Sequence, residues 1–141
     1  MRRIFFFFAI LSFIFASLLA ESGYKEILKE YKKVRRDMIR KLSKEMDPVF
    51  MEKYAKFNRA RRALIREILK RYPDIKKIKD EKQRKKAIRK KAIEFKRENN
   101  SYFLRYLKLR MDLDFYMMGK NKKMKELFLK IKDTKFFKSW L

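Results

Sequence analysis

Hydrophobic positions along this chain fall into two different rhythms. The opening twenty residues, MRRIFFFFAILSFIFASLLA, carry an apolar run from Ile4 to Ala20 that only Ser12 and Ser17 interrupt. From Tyr24 onward the apolar residues are spaced three and four apart: Tyr24, Ile27, Leu28, Tyr31, Val34, Met38, Leu42 and Met46. That spacing is one face of an amphipathic helix, and lysines and arginines fill the rest of it. Asp47 and Pro48 then form a helix start, because a carboxylate caps unpaired N–H groups and proline suits the first helical position. A second stripe runs through Phe50, Tyr54, Phe57, Ala60, Leu64, Ile68 and Tyr72. Pro73 closes it, since the residue before a proline is disfavoured in helix. Two helices joined by so short a turn are expected to lie antiparallel.

Residues 80–97, DEKQRKKAIRKKAIEFKR, predict a third helix of different character. Asp80 with Gln83 three residues later has the spacing of a capping box, with Asp in place of Ser or Thr. Ile88, Ala92 and Phe95 cluster within about 60° at 100° per residue, which makes a narrow apolar seam. Lys82, Lys85, Lys86, Arg89, Lys90, Lys91, Lys96 and Arg97 occupy much of the remaining circumference. Asn99, Asn100 and Ser101 either end this helix or form a polar step within a longer one.

The next stretch, SYFLRYLKLRMDLDFYMM at 101–118, supports two readings. Strict alternation of apolar and charged residues from Leu107 to Phe115 is a strand signature, repeated at Leu127, Leu129 and Ile131. Against it, Lys108 with Asp112 and Arg110 with Asp114 have the spacing of helical ion pairs, and Leu, Met and Lys favour helix. Gly119 serves either reading, as a helix stop or as part of a hairpin turn. With only two glycines and two prolines in the chain, few and long elements are expected. The expectation is therefore all-α, a small bundle of three to five long amphipathic helices. The alternative is α+β, with a terminal hairpin within 105–132. Phe136, Phe137 and Trp140 are expected to pack back on the bundle.

Arg2 and Arg3 ahead of the apolar run, and small residues at its end, have the organisation of a secretory signal peptide over 1–20. Cleavage is expected after Ala20 or after Ser22. Residues 21–141 are read as a single basic helical domain that is periplasmic or secreted. An inner-membrane anchor is the alternative, because seventeen residues sit at the short limit of the roughly 17–25 that span a bilayer. Lys25, Lys29, Lys32, Lys33, Arg35, Arg36 and Arg40 lie close behind the run. If it stayed uncleaved, those cations would favour a cytoplasm-facing domain.

Charge narrows the partner class. Past Ala20 there are 40 Lys and Arg against 17 Asp and Glu, a net +23. Such a charge repels itself, and an anionic partner relieves it. The chain has no histidine and no cysteine. Their absence removes Cys–His and Ser–His–Asp catalysis, disulfides and nearly all zinc, haem and iron–sulfur sites. Two glycines are too few for a phosphate-cradling loop. Asp112 and Asp114 point about 200° apart on a helix and are read as solvated ion-pair members, not as a catalytic pair. Met111, Met117, Met118 and Met124 are soft enough to hold copper(I), but at this spacing they read as core filling. No enzyme activity, cofactor or metal is expected.

The eight cations of the third helix remain as the positive signal, and they are read as a polyanion-binding face. An anionic envelope component (lipid or sugar phosphate) or an acidic protein client would fit it, and a membrane surface is included. Nucleic acid is less expected: Phe95 is the run's one aromatic residue and lies on the apolar seam, which disfavours single-strand recognition but leaves phosphate-backbone binding open. A membrane-surface-associated amphipathic protein and a membrane-tethered nucleic-acid-binding protein are therefore the alternatives. A second copy of the chain is also a candidate partner. In size and basic helical profile the chain is similar to small periplasmic chaperones. That similarity is one of composition, because their repeated Leu-Thr-x-x-Gln motif does not occur here. Export predicts an intact mass lacking residues 1–20 or 1–22, in a soluble envelope fraction. A full-length mass in the inner membrane, with the domain shielded from external protease, would reverse it.

Overall fold

A computed structural model of the chain describes the backbone of residues 2–132 and the side chains of residues 22–132. Five α-helices and one 3-10 turn come in order: α1 (Arg2–Lys44), α2 (Pro48–Arg71), the turn (Pro73–Lys77), α3 (Glu81–Arg97), α4 (Ser101–Lys120) and α5 (Lys122–Lys132). Among the described residues there is no strand, so the fold is all-α and the hairpin alternative for 105–132 is incorrect. The core uses the longer period on α4: Phe103, Leu113 and Met117 are buried, with Tyr106, Leu107 and Arg110 partly buried on the same side. Phe115, which completed the apparent alternation, is 51% exposed.

The same two-part device makes the α1–α2 and α3–α4 joints. At the first, Met46 adopts a left-handed backbone with φ 52°. The Asp47 N–H then reaches back to the Leu42 carbonyl at 3.2 Å, and the Met46 N–H to that of Ser43 at 3.2 Å. At the second, Asn99 has φ 51°, the Asn100 N–H reaches the Phe95 carbonyl at 3.0 Å, and the Asn99 N–H that of Lys96 at 3.1 Å. Both are Schellman closures, which satisfy carbonyls that the helix end leaves open. The residue after each left-handed position caps the next helix. Asp47 accepts the Phe50 N–H at 2.9 Å, and Asn100 accepts the Tyr102 N–H at 2.9 Å. Asp80 caps α3 by accepting the Gln83 N–H at 2.8 Å, in keeping with its spacing.

Glycine behaves differently from the expectation. Gly23 lies inside α1, which runs unbroken from Arg2, and Gly119 lies inside α4 without a positive φ. Asn121 makes the boundary there instead, accepting the Met124 N–H at 2.9 Å as the cap of α5. The apolar run of residues 4–20 falls within the backbone of α1, and its side chains lie outside the described residues, as do Phe136, Phe137 and Trp140. Among the described residues, no helix is long and apolar enough to cross a membrane.

The chain divides into two compact units, one holding residues up to Arg40 with those from Met118 on, the other Lys41–Met117. In the first, Tyr31, Met38, Met118, Met124, Leu127, Phe128 and Ile131 are buried, and Lys123 of α5 meets Glu30 of α1 at 2.7 Å. In the second, Leu64, Ile68, Ile75, Phe95 and Phe103 form the core, lined by Tyr72, Ile88, Ala92, Tyr106 and Leu107. A row of rings continues it along α2 and α4, with centroids of Phe50, Tyr54, Phe57 and Tyr106 spaced 5.3, 6.4 and 5.6 Å apart in turn. Asp47 fastens the far end: besides capping α2 it accepts the Tyr116 hydroxyl at 2.8 and 3.0 Å.

Met46 and its neighbour therefore have opposite expected effects. Met46→Gly removes the left-handed strain of a side-chain-bearing residue and should raise stability by about 1 kcal/mol. Asp47→Ala removes the cap and the carboxylate that accepts the Tyr116 hydroxyl, and should lower stability by about 2 kcal/mol. Urea unfolding of the two variants measures both.

Candidate functional site

One side of α3 is committed to the core of its unit. Phe95 is 1% exposed, and Ile88 and Ala92 pack with it, so the seam read from the spacing is the seam that the fold uses. Removing a ring so placed costs about 3–5 kcal/mol. The end of α2 holds this side by polar contacts as well. Tyr72 donates its hydroxyl to Glu94 at 2.9 Å, and Arg71 donates to Glu98 at 2.7 Å. The Arg71 guanidinium also lies 4.3 Å from the centre of the Phe95 ring.

The eight cations singled out in the sequence do not share one environment. Lys91 belongs to the tie between the helices: it is half-buried, donates to Glu94 at 3.0 Å and sits 4.4 Å from the centre of the Tyr72 ring. Lys96 is also half-buried. Lys85 is exposed but paired with Glu81 at 2.6 Å. Lys82, Lys86, Arg89, Lys90 and Arg97 are exposed and have no ion pair among the described residues. At 100° per residue these five fall within about 100° of arc, on the side away from Phe95.

Two features of the surface were not read from the sequence. Ile93 is 51% exposed, and the helical angle places it inside the arc of the five cations. Its signal was present, since the wheel that gathers Ile88, Ala92 and Phe95 leaves Ile93 on the opposite side. The second feature is on α2, where Arg59, Arg62, Arg66 and Lys70 make an exposed basic stripe with no ion pair among the described residues. Spacings of three and four carry its signal, which the denser lysines of α3 overshadow.

The other candidate groups serve the fold. Asp112 pairs with Lys53 of α2 at 2.8 Å and not with Lys108. Asp114 is fully buried, which corrects its reading as a solvated carboxylate. Met117, Met118 and Met124 are buried as core filling and Met111 partly so. No group of three or more carboxylates that could hold a metal ion occurs among the described residues. No protein-family model, curated protein or solved structure matches the chain.

Lys91 and Tyr72 together draw the Glu94 carboxyl below its ordinary value of 4.5, the Lys91 hydrogen bond contributing most. The same bond raises the Lys91 ammonium above its ordinary 10.5. A carboxyl lowered by folding stabilises the fold above the ordinary carboxylate range, and that contribution is lost as pH falls through the lowered value. Glu94→Gln should therefore be less stable than the native chain at neutral pH. The gap should narrow as the pH falls from neutral to well below the ordinary carboxylate range, through the lowered value at which the native carboxyl takes up its proton. Urea unfolding at the two pH values tests it, and a gap that stays constant would show that the charge of Glu94 is not what ties α3 to α2.

Proposed function

We propose that this chain is an exported, non-catalytic binding protein of the bacterial cell envelope, and that the outward face of α3 docks an anionic partner. The observation that carries this reading is the division of labour around α3. Its acidic residues face either their own lysines or the α2 tie, while Lys82, Lys86, Arg89, Lys90 and Arg97 hold no ion pair among the described residues, and Lys90 acts on Glu94 only through space. Five cations on one arc of a rigid helix raise the local potential, and an external polyanion lowers it. Phosphate groups suit such a face, because lysine and arginine bind them without a preformed pocket. The apolar opening segment with its two leading arginines supports export.

The reading is tested by charge reversal with a matched control. In Lys86→Glu, Arg89→Glu, Lys90→Glu, affinity for inorganic polyphosphate should fall by at least about tenfold, and the slope of log affinity against log salt by about three. Helicity by circular dichroism should not change, because all three side chains are exposed. A triple reversal of Lys32, Lys33 and Lys41 carries the same change in net charge and should have a clearly smaller effect. Equal losses in the two triples would reduce the binding to net charge alone and overturn the assignment to α3.

A further inference from the structure

We infer that the anionic partner of α3 is the surface of a phospholipid bilayer, with Ile93 entering the boundary between headgroups and acyl chains. This deepens the reading of α3 as a polyanion-docking face and rests on it. The observation is the place of Ile93. It is 51% exposed, lies on the side of α3 away from Phe95, and has Lys82, Lys86, Arg89, Lys90 and Arg97 around it on the helical arc.

Nothing in the packing of the helix explains that residue. The seam of Ile88, Ala92 and Phe95 already holds α3 to its unit. A β-branched side chain on an exposed helical position also gives no advantage in propensity over the lysines beside it. A soluble phosphate chain offers the cations a partner but offers Ile93 nothing. An anionic bilayer offers both phosphates at its surface and an apolar phase a few ångströms below. The geometry of the neighbours is suited to this, since lysine and arginine lay their methylene stems along an apolar surface while the charged heads stay at the phosphates. Cations close to an anionic leaflet each add to the attraction, and the effect is confined to within a Debye length. Face-on docking of a folded helix is thus the arrangement that uses the five charges and the isoleucine together.

The test keeps the chain whole and reads α3 locally, so that binding through the apolar segment at residues 4–20 does not confuse it. Since the sequence has no cysteine, Ile93→Cys provides a single site for an environment-sensitive fluorophore. With vesicles of phosphatidylglycerol in phosphatidylcholine, the label should shift to the blue and become protected from aqueous iodide. With vesicles of phosphatidylcholine alone, or with polyphosphate, it should do neither. A second pair keeps the fluorophore off position 93: Lys90→Cys, labelled, with and without Ile93→Ser. The serine variant should need about three- to tenfold more anionic lipid to reach half-maximal signal, the loss expected for part of one isoleucine side chain.

No spectral shift on phosphatidylglycerol vesicles, or an unchanged midpoint in Ile93→Ser, would overturn the lipid assignment. So would an equal response to polyglutamate that also depends on Ile93, which would favour an acidic protein partner. In each case retained polyphosphate binding, sensitive to the Lys86, Arg89 and Lys90 reversals, would leave the α3 face standing. Loss of both kinds of binding in the native chain would remove the two readings together.

Discussion

Carboxylates are the limiting resource of this fold. With 17 acidic residues against 42 lysines and arginines, there is no separate carboxylate for most cations, and the position of each acid matters. Many of the acids stand where elements begin or meet. Asp47 and Asp80 cap α2 and α3. Glu94 and Glu98 join α3 to the end of α2, Asp112 joins α4 to α2, and Glu30 joins α1 to α5. Exposed ion pairs of this kind contribute little each, a median of about 0–1 kcal/mol, so the apolar core supplies most of the stability. Their greater consequence is where the uncompensated charge is left. Once the acids are placed at joints, caps and local pairs, an exposed arc of α3 and a stripe of α2 are left with cations that hold no ion pair among the described residues.

The tie between α2 and α3 shows how core and charge cooperate. Phe95 fills the apolar space beneath Arg71, whose guanidinium covers the ring while it reaches Glu98. One turn earlier, Lys91 does the same over Tyr72 while it reaches Glu94. In both places a cation satisfies an acid and a ring face together, which keeps its charge close to the core without leaving it unpaired. Such anchoring fixes the rotation of α3, and the rotation determines which of its lysines face outward.

Much of the architecture was legible in the sequence because helices announce themselves through period and punctuation. The seam of Ile88, Ala92 and Phe95, the caps at Asp47 and Asp80, and the stop at Pro73 depend on a few residues within one or two turns. Residues 105–132 were ambiguous for a physical reason: alternation over nine positions satisfies a strand, and its i,i+4 pairs also satisfy a helix. Long-range packing resolved it, since α4 buries Phe103, Leu113 and Met117 and leaves Phe115 outside. The two left-handed joints were less visible, because Met and Asn occupy positions where glycine is the usual signal.

By itself, then, the sequence determined the helices up to residue 97, the basic character, the exclusion of histidine and cysteine chemistry, and the helix on which charge is densest. These depend on composition and on spacing within single helices, which no tertiary contact alters. Only the tertiary structure decided that Lys91 is a structural cation and Lys86, Arg89 and Lys90 are outward ones, that Asp114 is buried, and that no other element covers Ile93. Each of those outcomes depends on which residues from distant parts of the chain come to lie against a given side of a helix. Tyr72 and Glu94 are 22 residues apart in sequence. Local periodicity carries no information about such a meeting.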